Sequence, residues 1–303
     1  MQDRFTLPAR LLYALLWLIG RLPPRVAHAL GAGIGSAARV LGLREARVSR
    51  RNLELCHPQL SDAERDALLR ASLRETGRTL VETARCWTRP AGHNLRLVRE
   101  VDGGALFEAA LASGRGVIVA APHLGNWELL NQWLAQRTPI AIVYRPPRSA
   151  WMEALLRRAR GHANVTQVRA EAAGVRQLFR VLKDGGCVGI LPDQQPKRGD
   201  GEFAPFFGVQ ALTMTLLSRL AHKTGAIVLF AYARRLPDGG FRVCLRGAPP
   251  GIDAEDATRG VAALNAGVEA CVREAPAQYQ WSYKRFTMRP PPRDGAASEP
   301  NPY

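Results

Sequence analysis

Two side chains with complementary proton chemistry stand five positions apart in AAPHLGNWELL, residues 120–130: His123 and Glu128. An imidazole that titrates near neutrality can take a proton from a hydroxyl. A carboxylate against its other ring nitrogen fixes the tautomer and steadies the imidazolium as it forms. On one continuous helix an offset of five would put the two about 140° apart, at ~100° per residue, on different faces. The intervening residues offer a way round. Pro122 ends an apolar run, and Gly125-Asn126 can turn or cap before a helix that begins near Trp127. His123 is then expected to project from a loop and Glu128 to sit in the first helical turn, both facing one crevice. No serine, threonine or cysteine stands beside His123, so direct attack by a substrate hydroxyl is the simpler scheme. No metal is expected, since H-E-x-x-H is absent and no second histidine lies at ligand spacing.

The surrounding elements must bring such a pair together. From about residue 96, short apolar runs alternate with helix-length amphipathic stretches. Strands are expected at 95–101, 116–121, 140–144, 187–191, 227–233 and 241–245. Helices are expected at 105–112, 127–136, 151–160, 172–182, 212–223 and 258–272. That alternation argues an α/β fold, with a mixed, mostly parallel sheet flanked by helices. Ligands of such sheets bind outside the carboxyl ends of the strands. The rule points at APHLGNWE, at YRPPR with Arg145, and at LPDQQPKRG with Asp193 and Gln194. Upstream, Ser61 to Glu64 reads as a capping box opening a long helix. Its apolar stripe is Leu68, Leu69, Leu73, Leu80 and Val81.

The first 42 residues differ in character. The apolar stretch Leu11 to Ile19 is shorter than the roughly 20 residues that cross a hydrocarbon core. A signal peptide fits less well, because Arg21 and Arg25 separate the apolar stretch from Ala27-His28-Ala29. Tyr13 and Trp17 in a leucine stripe bounded by arginines fit a helix lying in, or dipping through, the membrane interface. Gly31 and Gly35 in the next segment form a small-xxx-small pair that permits close helix packing.

Composition narrows the partners. The chain has 303 residues and a formal charge of +16, with lysine at only four positions. Arginine forks match phosphate and carboxylate oxygens, so nucleic acid, an anionic membrane or an acidic carrier protein would all fit. A GC-rich genome would also inflate arginine, an alternative reading of part of this surplus. The basic residues are scattered, without zinc-finger spacing, RNA signature or basic arm, so nucleic acid ranks last. The five cysteines are widely spaced and read as small core residues of a reducing compartment.

The segments PHLGNWE, VYRPPR, ILPDQQP, FFGVQALT and QYQWSYKRF occur in that order. Together they resemble the lysophospholipid-acyltransferase superfamily with its H-x4-D/E motif. More narrowly, the chain is similar to the late acyltransferases of lipid A biosynthesis, from its N-terminal apolar helix to Arg285. The resemblance implies His123 as general base and Glu128 as the acid that orients and charges it. It implies substrate-binding roles for Arg145, Asp193, Gln194, Phe206, Phe207, Thr213, Lys284 and Arg285. Position 284 is lysine where relatives often carry arginine. Each of these also has a structural use: Asp193 to cap a turn, Phe206 and Phe207 as core, Lys284 and Arg285 as solvated charge.

The implied reaction moves a fatty acyl group from acyl carrier protein to a hydroxyl of a lipid A precursor, with no metal and no organic cofactor. Backbone N–H groups after Gly125, or Arg145, would stabilise the oxyanion. The implied organisation is membrane-associating helices over 1–42, an acyltransferase domain over 43–290 and a flexible tail over 291–303. The implied place is the cytoplasmic face of the inner membrane, with its anionic lipids as a further partner. Other acceptors, such as an ornithine lipid, a lysophospholipid or an aryl polyene, would keep the fold, as would a non-catalytic lipid carrier.

Overall fold

A leucine stripe at helical spacing leaves little of the first helix buried. In a computed structural model that describes residues 7–147, 149–161, 164–291 and 300–303, α1 (Leu7–Ile19) exposes Leu7, Leu11, Leu15 and Leu18 and buries only Ala9. Residues 1–6, the start of the expected membrane-associating region, lie outside the described residues. The next helix, α2 (Pro24–Val40), likewise exposes Val26, Leu30 and Ile34. Its other face carries Gly31 and Gly35, which meet a later helix over residues 62–88 backbone to backbone. A Cβ on Gly35 would lie 1.9 Å from the Leu73 carbonyl oxygen, and one on Gly77 would lie 2.0 Å from that of Gly31. The small-xxx-small expectation therefore holds, with protein as the partner. No single described helix is long and apolar enough to cross a membrane.

Helix α3 (Arg44–Cys56) leads to α4 (Asp62–Thr88). The Ser61 hydroxyl and the Glu64 carboxylate form the expected capping box at its start. Leu69, Leu73 and Val81 are buried, but Leu80 is 59% exposed, because its position turns away from the body. After the short α5 (Ala91–Leu95) come β1 (Val98–Asp102), α6 (Gly104–Ala112), β2 (Val117–Ala120), α7 (Trp127–Ala135) and β3 (Ile140–Tyr144). Then follow α8 (Ala150–Ala159), β4 (Val165–Arg169), α9 (Ala172–Lys183) and β5 (Cys187–Ile190). A hairpin of β6 (Gly201–Phe206) and β7 (Val209–Met214) precedes α10 (Leu216–Thr224). The last elements are β8 (Ile227–Arg235), β9 (Phe241–Gly247) and α11 (Ala257–Glu274).

Seven strands form one sheet in the order β1-β9-β8-β2-β5-β3-β4. From β8 to β4 all neighbours are parallel; β9 runs antiparallel to β8 and takes β1 with it. The expected mixed, mostly parallel sheet is thus observed. Its central strands β2 and β5 are buried at every residue, as strands covered on both faces must be. Leu129, Leu130 and Trp133 of α7 pack with Phe107 of α6 against one set of strand side chains. Leu178, Leu217, Leu264 and Val268 of α9, α10 and α11 belong to a second core cluster with Ile118 and Val188. All five cysteines are buried thiols.

Helices α3 and α5 and strands β4, β6 and β7 escaped the sequence reading. The edge strand β4 is Val-Thr-Gln-Val-Arg, too polar to show an apolar run. The β6–β7 hairpin turns at Phe207 and Gly208, with φ of +48° and +78°. Strand β7 then occupies 209–214, so the helix expected from 212 starts only at Leu216. Of the expected flexible tail over 291–303, residues 292–299 lie outside the described residues. The Tyr303 hydroxyl accepts the Phe286 N–H at 3.2 Å and donates to Asn52.

Candidate active site

Strand β2 ends at Ala120, and the chain turns through Pro122 before α7 begins at Trp127. His123 therefore stands on the loop at the carboxyl edge of the central strand, as expected. Its ring is held edge-on by Trp127, with centroids 5.0 Å apart. The Gln280 N–H donates to the His123 carbonyl at 3.0 Å, which ties the loop to the C-terminal segment.

The carboxylate on the imidazole is Asp193, not Glu128. Asp193 follows β5, the neighbour of β2, so parallel pairing sets the two loops side by side. Its Oδ1 lies 2.8 Å from His123 Nδ1, and its Oδ2 accepts the His123 backbone N–H at 2.9 Å. A carboxylate accepts only, so Nδ1 carries the proton and Nε2 is left as the base. Gln194 agrees with that tautomer: its amide nitrogen lies 3.2 Å from Nε2 and also donates to Gln280 Oε1. Burial alone would push the Asp193 carboxyl up. The His123 charge and the hydrogen bonds from His123 outweigh it and hold the carboxyl below the usual range.

Glu128 sits in the first turn of α7, as expected, but it faces Arg160 at the end of α8. Arg160 Nε lies 3.1 Å from both carboxylate oxygens, and Nη2 completes a two-armed pair. Glu128 is buried, and an unpaired carboxylate there would be costly, so the nearest guanidinium claims it. Burial depresses the Arg160 pKa, but Glu128 more than compensates and holds it above the usual value. Glu128 thus reaches the cleft through Arg160.

The cleft has a volume of about 1300 Å³, above the ~300–1,000 Å³ of most small-molecule sites. His123, Arg145, Arg160 and Gln194 line its head. Val175 and Phe179 of α9 face Leu216 and Leu220 of α10 along it and supply an apolar floor. The wall holds seven arginines and lysines against Glu171 and Asp200, so the potential inside favours an anionic ligand. Arg145 is exposed, immediately after β3.

The remaining expected site residues do not line this cleft. Phe206 is buried in a cluster with Phe207, Tyr279 and Phe286. Phe207 donates its N–H to Glu269 at 2.7 Å and lies beneath Arg273. Thr213 and Arg285 are buried and hydrogen bonded to each other, and Arg285 also donates to the Leu212 carbonyl. Lys284 stacks on Tyr303. An antiparallel hairpin packed against α11 carries Phe206 and Thr213 inward, and Arg285 reaches them from the C-terminal segment. Of the C-terminal segment, Arg285 and the buried Tyr279 are within electrostatic reach of the Asp193 carboxylate. Burial, reinforced by Asp193, raises the Tyr279 hydroxyl well above its usual range.

Arg160, Tyr279 and Gln280 were missed by sequence reasoning. Tyr279 and Gln280 lie inside the quoted QYQWSYKRF segment, where a motif reading could have found them. Nothing local marks Arg160, one arginine among many and 32 positions from Glu128.

A family model for bacterial lipid A biosynthesis acyltransferases matches residues 5–288. The chain is similar to a lipid A biosynthesis palmitoleoyltransferase of Escherichia coli, 32% identical over 280 residues, which cover 91% of this chain and 90% of the relative. It is similar to the lauroyltransferase of the same organism at 31% identity with the same coverage. A phosphatidylinositol mannoside acyltransferase of Mycobacterium tuberculosis is 30% identical over 233 residues, which cover 72% of this chain and 70% of the relative.

Proposed function

The chain belongs to the bacterial lipid A biosynthesis acyltransferase family, and from that premise we propose that it transfers a fatty acyl chain from acyl carrier protein to a hydroxyl of a lipid A precursor. The observation that carries this reading is the His123 imidazole, with Asp193 on Nδ1 and Nε2 at the head of a basic, apolar-floored cleft. The acceptor hydroxyl displaces the Gln194 amide from Nε2 and gives up its proton there as its oxygen attacks the thioester carbon. Asp193 steadies the imidazolium. The tetrahedral oxyanion draws on Arg160 or Arg145 at the cleft head. The expected alternative, N–H groups at the start of the helix after Gly125, is narrowed to the first helical positions, because the Asn126 N–H already donates to Ala233 and the Leu129 N–H to the Asn126 side chain. When the carbon–sulfur bond breaks, the imidazolium returns the proton to the leaving thiolate.

The basic wall suits the phosphates of a lipid A precursor, and the apolar floor suits an acyl chain. The test is transfer by the purified protein in detergent from labelled acyl carrier protein. Lipid A precursor, phosphatidylinositol mannoside and lysophospholipid are offered separately. Labelled lipid A product is expected; transfer to either other acceptor alone would move the reading there, and transfer to none would end it.

The exposed stripes of α1 and α2 support attachment to the cytoplasmic face of the inner membrane. Contiguous apolar surface of this kind marks a membrane or partner face. Burying a leucine-sized side chain contributes ~1.5–3 kcal/mol, so partial burial of the stripe exceeds what one acyl anchor supplies. Full-length protein is therefore expected to stay on inner-membrane vesicles through a high-salt wash. Removing residues 1–22 should leave a fraction that salt strips, held by basic charge alone. Release of the full-length protein by salt would show that these helices do not anchor it.

A further inference from the structure

The loop between His123 and Glu128 is gripped from behind. Gly125 has φ +64°, and a Cβ there would lie 2.0 Å from the Ala233 carbonyl oxygen, so the chain runs tight against the end of β8. Asn126 then uses both ends of its amide. Oδ1 accepts the Leu129 N–H at 2.9 Å and caps α7. Nδ2 donates at 3.2 Å to Glu82, on α4.

Glu82 is 5% exposed, and its carboxylate is ringed by donors. Arg235, at the end of β8, reaches it with two guanidinium nitrogens. His28 of α2 approaches with Nε2 at 2.9 Å. Arg235 also pairs with Glu75 and donates to the Thr79 hydroxyl, which donates in turn to the Gly125 carbonyl at 3.3 Å. None of these acids or bases lines the cleft. A buried ion pair is a poor source of stability compared with apolar packing. What this one does is hold the loop.

We infer that Glu82 is a positioning residue for acyl transfer: braced by Arg235 and His28, it clamps the Asn126 amide and so fixes the turn that sets His123 and the first turn of α7. The clamp rests on the reading of His123 as the base. It also joins α2, whose outer face carries the apolar stripe, to the catalytic loop.

Asn126→Asp separates the two uses of the amide. Asp caps a helix as well as Asn does, so the bond to Leu129 stays. The donor to Glu82 is lost, and a carboxylate faces a carboxylate. We expect kcat to fall about 10²-fold, as a small misplacement of a catalytic group does, with KM for both substrates changed by no more than about twofold. Adding Glu82→Gln restores the net charge, but both Glu82 oxygens also accept from Arg235, so the new amide nitrogen meets a guanidinium and only partial recovery of kcat is expected. Asn126→Ser also caps, adds no charge and is too short to reach Glu82. It should lose kcat similarly, and Glu82→Gln should not rescue it.

Wild-type kcat in folded Asn126→Ser would overturn the clamp. Wild-type protein runs alongside on the same substrates. No transfer there fails the reading of the site, whereas wild-type transfer with unaffected variants fails the clamp alone.

Discussion

His123→Ala is expected to lower acyl transfer by roughly 10²–10⁴-fold, the usual contribution of a general base. The variant should keep its fold and its membrane association. His123 is a loop residue at a strand end, and its backbone contacts to Asp193 and Gln280 do not need the ring. The loss should appear in kcat with little change in KM, because proton removal belongs to the transition state and not to binding. Product formation from labelled acyl carrier protein in single turnover measures it directly. Activity within about tenfold of wild type would sink the role of the imidazole. Removing the ring also uncovers the Asp193 carboxylate. Its depressed pKa depends on His123, so a merely structural histidine would leave a costly unpaired acid and a lower melting temperature with little change in turnover.

Local pattern made the scaffold legible and long-range pairing did not. The strand Ile140–Tyr144 and the helix start at Trp127 match the sequence reading, because an apolar run and a cap are local signals. Helix α3 was not expected. Its inward positions include Ser49 and Asn52, which blunt the apolar period. Within the site, His123 and Glu128 share one short motif and were found together. Which acid meets the ring depends on strand order: β5 lies beside β2, which brings in Asp193 from 70 residues away. Glu128 meets an arginine that arrives on a different helix. Motif order likewise marked the FFG segment and the C-terminal KRF. Whether Phe206 and Thr213 face the cleft was set by the hairpin's packing against α11, which no local period reveals.

The two acids can be told apart by swapping each for its amide. Asp193 accepts two N–H groups of His123, one with each oxygen. Asn in its place has a single acceptor oxygen, so either the ring loses the partner that fixes its tautomer or the loop loses its backbone anchor. The imidazolium also loses its buried counter-charge as it forms. Asp193→Asn is therefore expected to cut kcat by roughly 10²–10⁴-fold while KM changes little. Glu128→Gln leaves the imidazole and its acid intact. It removes the counter-charge of Arg160 and loosens a guanidinium at the cleft head. Its effect should be smaller, about 10–10²-fold, and should fall partly on KM, since Arg160 lines the space where substrate binds. Measuring kcat and KM for both variants against the same donor and acceptor decides the order. If Glu128→Gln proves the slower and Asp193→Asn stays near wild type, the imidazole pairs with Glu128 when substrate is bound, and Asp193 serves only to hold the loop.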